Sequence, residues 1–301
     1  MRILVTGVTG QVGSALVARL HAPDTVLAAD RTALDLSRPD TIAAVLDRLA
    51  PEVIVNAGAY TNVDQAEAEP ALAAAVNARA PAAMARWAAP RGVPLIQLST
   101  DFVFGGAGET PWREDDAPQP LSVYGATKLA GENEIRAAGG TFLILRTQWV
   151  YAARGRNFVR SIASLARERK ELRVVADQIG APTSAALLAE AIAGILAGGV
   201  ENVRQRCAQA QGLLHFAPSG AASRYEVACA IVAGLKARGC ALEIERLIPV
   251  ASAEFPTPAK RPLNSRLDLT RWHTVFKQTP PPWEAVLEGA LGEIAKEMHE
   301  L

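Results

Sequence analysis

The first thirteen residues restrict the fold more than any other part of the chain. Met1-Arg2-Ile3-Leu4-Val5 is a short apolar run that enters Thr6-Gly7-Val8-Thr9-Gly10-Gln11-Val12-Gly13. A helical pattern follows, with apolar Ala15, Leu16, Val17 and Leu20. A strand ending in a T-G-x-x-G-x-x-G turn that opens a helix has a mechanical reading. One glycine permits the tight turn, one lets backbone approach a pyrophosphate, and one allows close helix–strand packing. The helix start then offers unpaired N–H groups and the positive end of its dipole to phosphate. Gly7, Thr9, Gly10, Gln11, Val12 and Gly13 are therefore candidate dinucleotide contacts.

The rest of the first half repeats the alternation. Strands are predicted near 2–6, 25–30, 53–57, 94–99 and 142–147, and helices near 11–20, 39–49, 71–90 and 122–138. Short apolar runs such as Val53-Ile54-Val55 and Leu143-Ile144-Leu145 suit strands buried on both faces. The expectation is an α/β protein with a doubly wound (Rossmann) parallel sheet over residues 1–150. Beyond 150 the texture changes. Arg154-Gly155-Arg156-Asn157 reads as a loop, a basic helix runs through Arg169-Lys170, and Phe255 through Pro262 is too rich in proline for regular structure. Residues 151–301 are expected to form mainly a smaller, discontinuous α/β substrate domain. Some of its segments, Arg173-Val174-Val175 for example, are expected to return to the sheet.

Composition excludes several classes. Thirty-one basic residues balance thirty-one acidic ones in 301 residues, so net charge gives no footprint for nucleic acid or an anionic membrane. Cys207, Cys229 and Cys240 lack metal-ligand spacing and read as reduced, packed thiols. His21, His215, His273 and His299 form no ligand cluster and read as structural or surface residues. The first apolar stretch is too short for a signal peptide. Ser184 to Gly199 comes nearest to a membrane span, but Glu190 interrupts it, and it reads as a packed helix. A soluble cytoplasmic protein is expected.

In a doubly wound sheet, ligands lie at the carboxyl ends of the strands. Asp30-Arg31, Asn56-Ala57-Gly58-Ala59-Tyr60, Ser99-Thr100-Asp101 and Arg146-Thr147-Gln148-Trp149 all fall there. A carboxylate at Asp30 suits the ribose 2′-OH of NADH, whereas Arg31 suits the 2′-phosphate of NADPH. Both are present, so either cofactor is expected. Asp35 and Leu36 are placed to flank the adenine, and Asp35 equally suits a turn or helix cap. Tyr124 and Lys128 stand four apart on a predicted helix and share a face. An ammonium there is expected to lower the phenol pKa, giving a proton donor or acceptor for catalysis.

Together the glycine turn, Ser99-Thr100-Asp101 and Tyr124-x-x-x-Lys128 resemble the extended short-chain dehydrogenase/reductases. Further runs narrow the resemblance to the group that reduces dTDP-4-dehydrorhamnose. They are Thr61 through Glu67, Asp177-Gln178-Ile179-Gly180-Ala181-Pro182-Thr183 and Arg261-Pro262-Leu263-Asn264-Ser265-Arg266. The resemblance implies reduction of a sugar 4-keto group on a dTDP-sugar, with hydride from NADPH or NADH. It makes Tyr124 the general acid, Thr100 a second hydrogen bond to the same oxygen, and Lys128 the group that holds the nicotinamide ribose. It adds Ala57, Ala59, Tyr60, Asn77 and Ser99 to the cofactor contacts. It places Val63, Asp101, Phe102, Trp149, Asn157, Lys260, Arg261 and Arg266 beside the substrate, with Arg266 alternatively paired to a carboxylate such as Asp268.

Two departures matter. Sugar-nucleotide 4,6-dehydratases, which are similar, carry Glu where this chain has Phe102, so elimination of water is disfavoured. The reductases usually carry Tyr there, and Phe102 keeps the ring without the hydroxyl. Some relatives are described as Mg²⁺-bridged dimers through acidic positions that match Ala15 and Ala186 here. Alanine offers no oxygen ligand, so no metal site and a monomer or weak homodimer are expected. The alternatives are another nucleotide-sugar 4-ketoreductase, or a non-catalytic regulatory subunit like that of animal methionine adenosyltransferase.

Overall fold

The structure is a computed structural model that describes residues 1–20 and 25–300. His21 lies outside the described residues. The longer strands are β1 (Arg2–Thr6), β2 (Thr25–Ala29), β3 (Val53–Asn56), β4 (Leu95–Thr100), β5 (Phe142–Thr147), β6 (Glu171–Val175), β7 (Leu213–His215) and β8 (Arg246–Val250). The helices are α1 (Gln11–Arg19), α2 (Ile42–Leu49), α3 (Val63–Ala68), α4 (Pro70–Ala74), α5 (Ala80–Ala88), α6 (Val123–Ala138), α7 (Phe158–Glu168), α8 (Ala185–Leu196), α9 (Gly199–Gln209), α10 (Arg224–Ala237), α11 (Thr270–Phe276) and α12 (Trp283–His299).

Six strands form one parallel sheet in the order β7-β5-β4-β3-β1-β2. Successive side chains of a strand point to opposite faces, and both faces here are covered. Ile3, Val5, Val53, Val55, Ile96 and Leu98 pack toward α1, α8 and α9. Leu4, Ile54, Leu95 and Ile144 pack on the other face against Leu46 of α2, Met84 of α5 and Ile135 of α6. The parallel, doubly wound reading of the first half therefore holds, with strand ends within about one residue of those predicted.

The helix predicted over 71–90 is interrupted. A π-helical segment, Ala75–Arg79, separates α4 from α5. Pro81 has no N–H to return to the Asn77 carbonyl. That carbonyl lies where a Cβ on Gly131 would overlap it, so α6 packs unusually close. The short helix α3 was not predicted. Its start is signalled by Asn62, whose side chain accepts from Gln65 N at 3.2 Å.

A second core joins α7, α10 and α12 to β6 and β8, through residues such as Ile162, Leu172, Val174, Ile231, Leu235, Leu287 and Leu291. Here the expectation for Arg173-Val174-Val175 fails. β6 pairs with β8 in a separate two-stranded sheet. Its pattern alternates, with Leu172 and Val174 buried while Glu171 and Arg173 are exposed. Such a strand covers one face only, whereas the large sheet demands apolar residues on both. The segment that does return is β7, with Leu213, Leu214 and His215 all buried and Leu213 opposite Ile144. α8 and α9 also pack on the large sheet. Among the described residues no single helix is long and apolar enough to cross a membrane, and all three cysteines are free thiols.

Candidate active site

Gly7 has φ +66, and a Cβ there would stand 2.6 Å from Gly58 Cα, so the ends of β1 and β3 meet through two glycines. A Cβ on Gly13 would overlap the Gly7 carbonyl. Gly10 caps α1 with no side chain, and the first turn of that helix carries no acid. Its N–H groups are left for an anion. A cleft of about 580 Å³ runs from Gly7, Thr9, Gly10, Gln11 and Val12 past Ala57 and Ala59 to Thr100, Tyr124 and Lys128. A smaller cavity of about 250 Å³ shares Gly7, Thr9, Gly58 and Ala59 with it and is bounded by Asp30, Arg31, Asp35, Leu36 and Tyr60. The glycine cradle and this pair of cavities have the lining to take a dinucleotide.

Asp30 Oδ1 accepts from Thr32 N at 2.9 Å, Thr32 Oγ1 at 2.6 Å and Ala33 N at 3.0 Å. These bonds, the Thr32 hydroxyl foremost, hold its carboxyl below the usual range. Arg31 pairs with Asp35 at 3.5 Å, but its side chain is 79% exposed. Asp35 accepts from Ser37 N and Oγ, which makes it a turn residue that also lines the cavity. Gly58 was missed among the site residues. Its Cβ would stand 2.5 Å from Leu36 Cδ1, so glycine is what admits Leu36 to the cavity wall.

Two predicted cofactor contacts line neither cavity. Gly13 is a packing glycine. Asn77 is buried in the π-helical segment, where it accepts from Tyr60 N at 2.8 Å and donates to Tyr60 O at 3.1 Å and Thr127 Oγ1 at 3.2 Å. It positions Tyr60 and supplies no free group.

The first turn of α6 brings the chemistry together. Ser122 caps it, accepting from Gly125 N at 3.2 Å. A Cβ on Gly125 would overlap the Phe102 carbonyl, so the helix lies hard against the Thr100–Phe102 turn. Tyr124 is thereby placed in the cleft together with the Thr100 side chain. Phe102 meets the Tyr124 ring edge-on, with centroids 5.5 Å apart. Phe102 N donates to Thr100 Oγ1 at 3.2 Å.

The expected effect of Lys128 on Tyr124 is not found. Burial pushes the phenol up to about 12, the Thr100 hydroxyl opposes this, and the Asp101 carboxylate adds to it. Lys128 Nζ donates to the Leu98 carbonyl at 2.6 Å. Burial lowers its own pKa to about 8, partly offset by Glu132. Loss of water dominates both shifts, and neither group is the cause of the other's. Beneath them Glu132 accepts from Ser99 Oγ at 2.6 Å and, as a fork, from Arg146 Nε at 2.9 Å and Nη2 at 2.6 Å. Ser99 thus reaches the cleft wall but spends its hydroxyl on Glu132.

On the substrate side, Val63, Asp101, Phe102, Trp149 and Asn157 line the cleft. Asp101 is 2% exposed. Its Oδ1 accepts from Thr100 Oγ1 at 3.1 Å, while Oδ2 faces Ser265 without a hydrogen bond. Burial raises its carboxyl to about 6. Trp149 has φ +46, a left-handed conformation that costs a bulky residue about 1–3 kcal/mol. Asn157 caps α7 and donates to Gln11 Oε1 at 3.1 Å, tying that helix to the glycine turn. Lys260 is exposed and lines only an adjoining cavity of about 640 Å³. Arg261 reaches both but is held by Asp64, 2.8 Å from Nη2 to Oδ2. Arg266 lines none of these cavities. It donates to the Glu109 carbonyl at 2.8 Å and so straps the C-terminal segment to a loop, without pairing to Asp268. Arg224, absent from the predicted set, stands at the junction of the two substrate-side cavities.

Ala15 is half-buried against the core beneath α8, and Ala186 is exposed. Among the described residues no three His, Cys, Asp or Glu side chains are grouped to hold a metal.

A parallel doubly wound sheet with a glycine cradle, and Thr100, Tyr124 and Lys128 in the adjoining cleft, defines the class of the extended short-chain dehydrogenase/reductases. Comparison with known proteins narrows this. The family described as RmlD substrate binding domain matches residues 1–296. The dTDP-4-dehydrorhamnose reductase of Escherichia coli K12 is 39% identical over 298 residues, 98% of each chain. That of Burkholderia thailandensis is 41% identical, covering 94% of this chain and 95% of its own. The structure resembles the dTDP-4-dehydrorhamnose reductase of Clostridium acetobutylicum, with TM-score 0.88 at 32% identity over 97% of this chain and 99% of that one. The enzyme of Bacillus anthracis, in complex with NADP, gives TM-score 0.86 at 31% identity over 98% and 99%. The chain belongs to the dTDP-4-dehydrorhamnose reductase family.

Proposed function

We propose that this protein reduces the 4-keto group of dTDP-4-dehydro-β-L-rhamnose to the alcohol, giving dTDP-L-rhamnose at the last step of its synthesis. The observation that carries the reading is that Thr100, Tyr124 and Lys128 open on the same cleft as the glycine turn. Bound NADPH or NADH supplies the hydride. Everything else is done by the chain's own side chains. Tyr124, with its pKa near 12, holds its proton at neutral pH and gives it to the carbonyl oxygen as the carbon is reduced. Thr100 orients that oxygen through a second hydrogen bond. Lys128, fixed by one bond to Leu98 O, keeps its remaining N–H groups for the ribose hydroxyls. Nothing in this scheme eliminates water, in keeping with an aromatic ring at Phe102.

Asp30 and Arg31 leave both cofactors open, and similar structures hold NADP in one case and NAD in another. In this reading residues 1–150 mainly hold the cofactor and the rest mainly the nucleotide sugar. The protein works in the cytoplasm as a monomer or weak homodimer, and alanine at 15 and 186 makes Mg²⁺ dispensable. The test follows NADPH and NADH oxidation with dTDP-4-dehydro-L-rhamnose, first in EDTA and then in Mg²⁺. Oxidation yielding dTDP-rhamnose in EDTA supports the reading. No oxidation by protein that binds both cofactors sinks it.

A further inference from the structure

Arg224 begins α10, where the positive end of the helix dipole disfavours a cation. Its guanidinium carbon lies 3.7 Å from the centroid of the Trp149 ring and 5.1 Å from that of Phe158. Two aromatic faces therefore set its plane. Among the described residues nothing accepts a hydrogen bond from its side chain, although Asp101 and Arg261 lie within electrostatic reach. A fork of N–H donors is thus held at the junction of the reductive cleft and the outer cavity.

The neighbouring cations are differently placed. Arg261 donates to both Asp64 oxygens, at 3.1 and 2.8 Å, and to Thr257 Oγ1 at 2.6 Å. Lys260 lines the outer cavity only, as does Arg173, which pairs with Glu254 at 2.7 Å. That cavity has a mixed lining, and it includes Phe255 and Leu121, 54% and 43% exposed. Large apolar side chains left in water beside a cavity mark a surface that a ligand covers. A ligand reacting at Tyr124 and ending in the outer cavity must pass Arg224 at its middle.

We propose that Arg224, stacked on Trp149, is the residue that binds the diphosphate of the nucleotide-sugar substrate, and that Arg261 serves instead to tie the C-terminal loop to α3. The assignment rests on the reductase reading above. It makes Trp149 the platform for a cation as well as a wall of the sugar site. A planar fork matches two phosphate oxygens at once, which an ammonium does not.

The test measures inhibition constants of dTDP and of thymidine, together with NADPH affinity and melting temperature, for the full chain. For Arg224→Gln, dTDP is expected to weaken about 30-fold with thymidine unchanged, and KM to rise far more than kcat falls. Arg224→Lys, which keeps charge but loses the fork and the stack, should recover only part of the loss. Arg261→Gln should lower the melting temperature while keeping the thymidine-to-dTDP ratio. An unchanged ratio in both Arg224 variants, with normal NADPH binding, overturns the assignment. Failure of the unsubstituted protein to bind dTDP at all, while binding NADPH, overturns the reductase reading and the assignment with it.

Discussion

Gly180 leaves the space that the indole of Trp149 fills: a Cβ at position 180 would stand 2.8 Å from Trp149 Cε2 and 2.6 Å from Gln148 Oε1. The same turn is closed by Ala181 N donating to Gln148 Oε1 at 3.0 Å and by Thr183 N donating to Trp149 O at 3.2 Å. The Gly180-Ala181-Pro182-Thr183 run is therefore a seat for a strained tryptophan. Gly180→Ala should displace the indole and the guanidinium stacked on it. KM for the sugar nucleotide should rise about tenfold, the equivalent of roughly 1.4 kcal/mol, with NADPH affinity kept. An unchanged KM would show that the seat is not needed.

Tyr124→Phe removes the proton that the carbonyl oxygen receives. kcat should fall about 10²- to 10⁴-fold, while the Kd for NADPH, read by fluorescence titration, stays within about twofold. Thr100→Val should cost about 10²-fold, since it leaves the proton donor in place and removes only an orienting bond.

Asp101 links stability to pH. Its carboxyl is raised to about 6 from an ordinary 3.8, with burial the main cause. The folded state therefore holds the proton more tightly than the unfolded chain does. That contribution is fully present below about pH 4 and is lost as pH rises through 6. Asp101→Asn stays neutral throughout. It should match the parent protein near pH 4 and be more stable above pH 6, by on the order of 2–3 kcal/mol. Melting temperatures across pH 4–8 decide this, and a gain of equal size at every pH would refute it.

Cofactor choice should turn on two adjacent residues. Asp30→Asn keeps an Oδ1 acceptor for Thr32 and Ala33 while removing the charge that repels a 2′-phosphate. It should shift the kcat/KM ratio toward NADPH by about tenfold. Arg31→Ala should shift it toward NADH by a similar factor. Parallel initial rates with the two cofactors check both substitutions.

Much of this is legible in the sequence. The glycine turn, the parallel alternation and the strand-end clustering of Asp30, Thr100 and Trp149 rest on local periodicity and on local steric limits. Gly7, Thr9, Gly10, Gln11 and Val12, with Asp30, Arg31, Asp35, Leu36, Ala57, Ala59 and Tyr60, line the cleft and the smaller cavity beside it. Two site assignments failed for reasons that no short window contains, whereas the β6 assignment failed although its own window held the signal. β6 carries the apolar residues of a strand, but its alternation suits a one-sided sheet. Asn77 is spent on Tyr60, and Arg266 on the Glu109 carbonyl.

The sequence by itself determined the strand–turn–helix units, the sidedness of each strand and which reactive groups end up at one edge of the sheet. Those outcomes follow from the backbone geometry of neighbouring residues. Only the tertiary structure decided that Tyr124 is a tightly protonated phenol, that Asp64 occupies Arg261 and that Arg224 lies free upon Trp149. Desolvation and pairing depend on groups far apart in the chain, and they take effect only when folding removes the water between them.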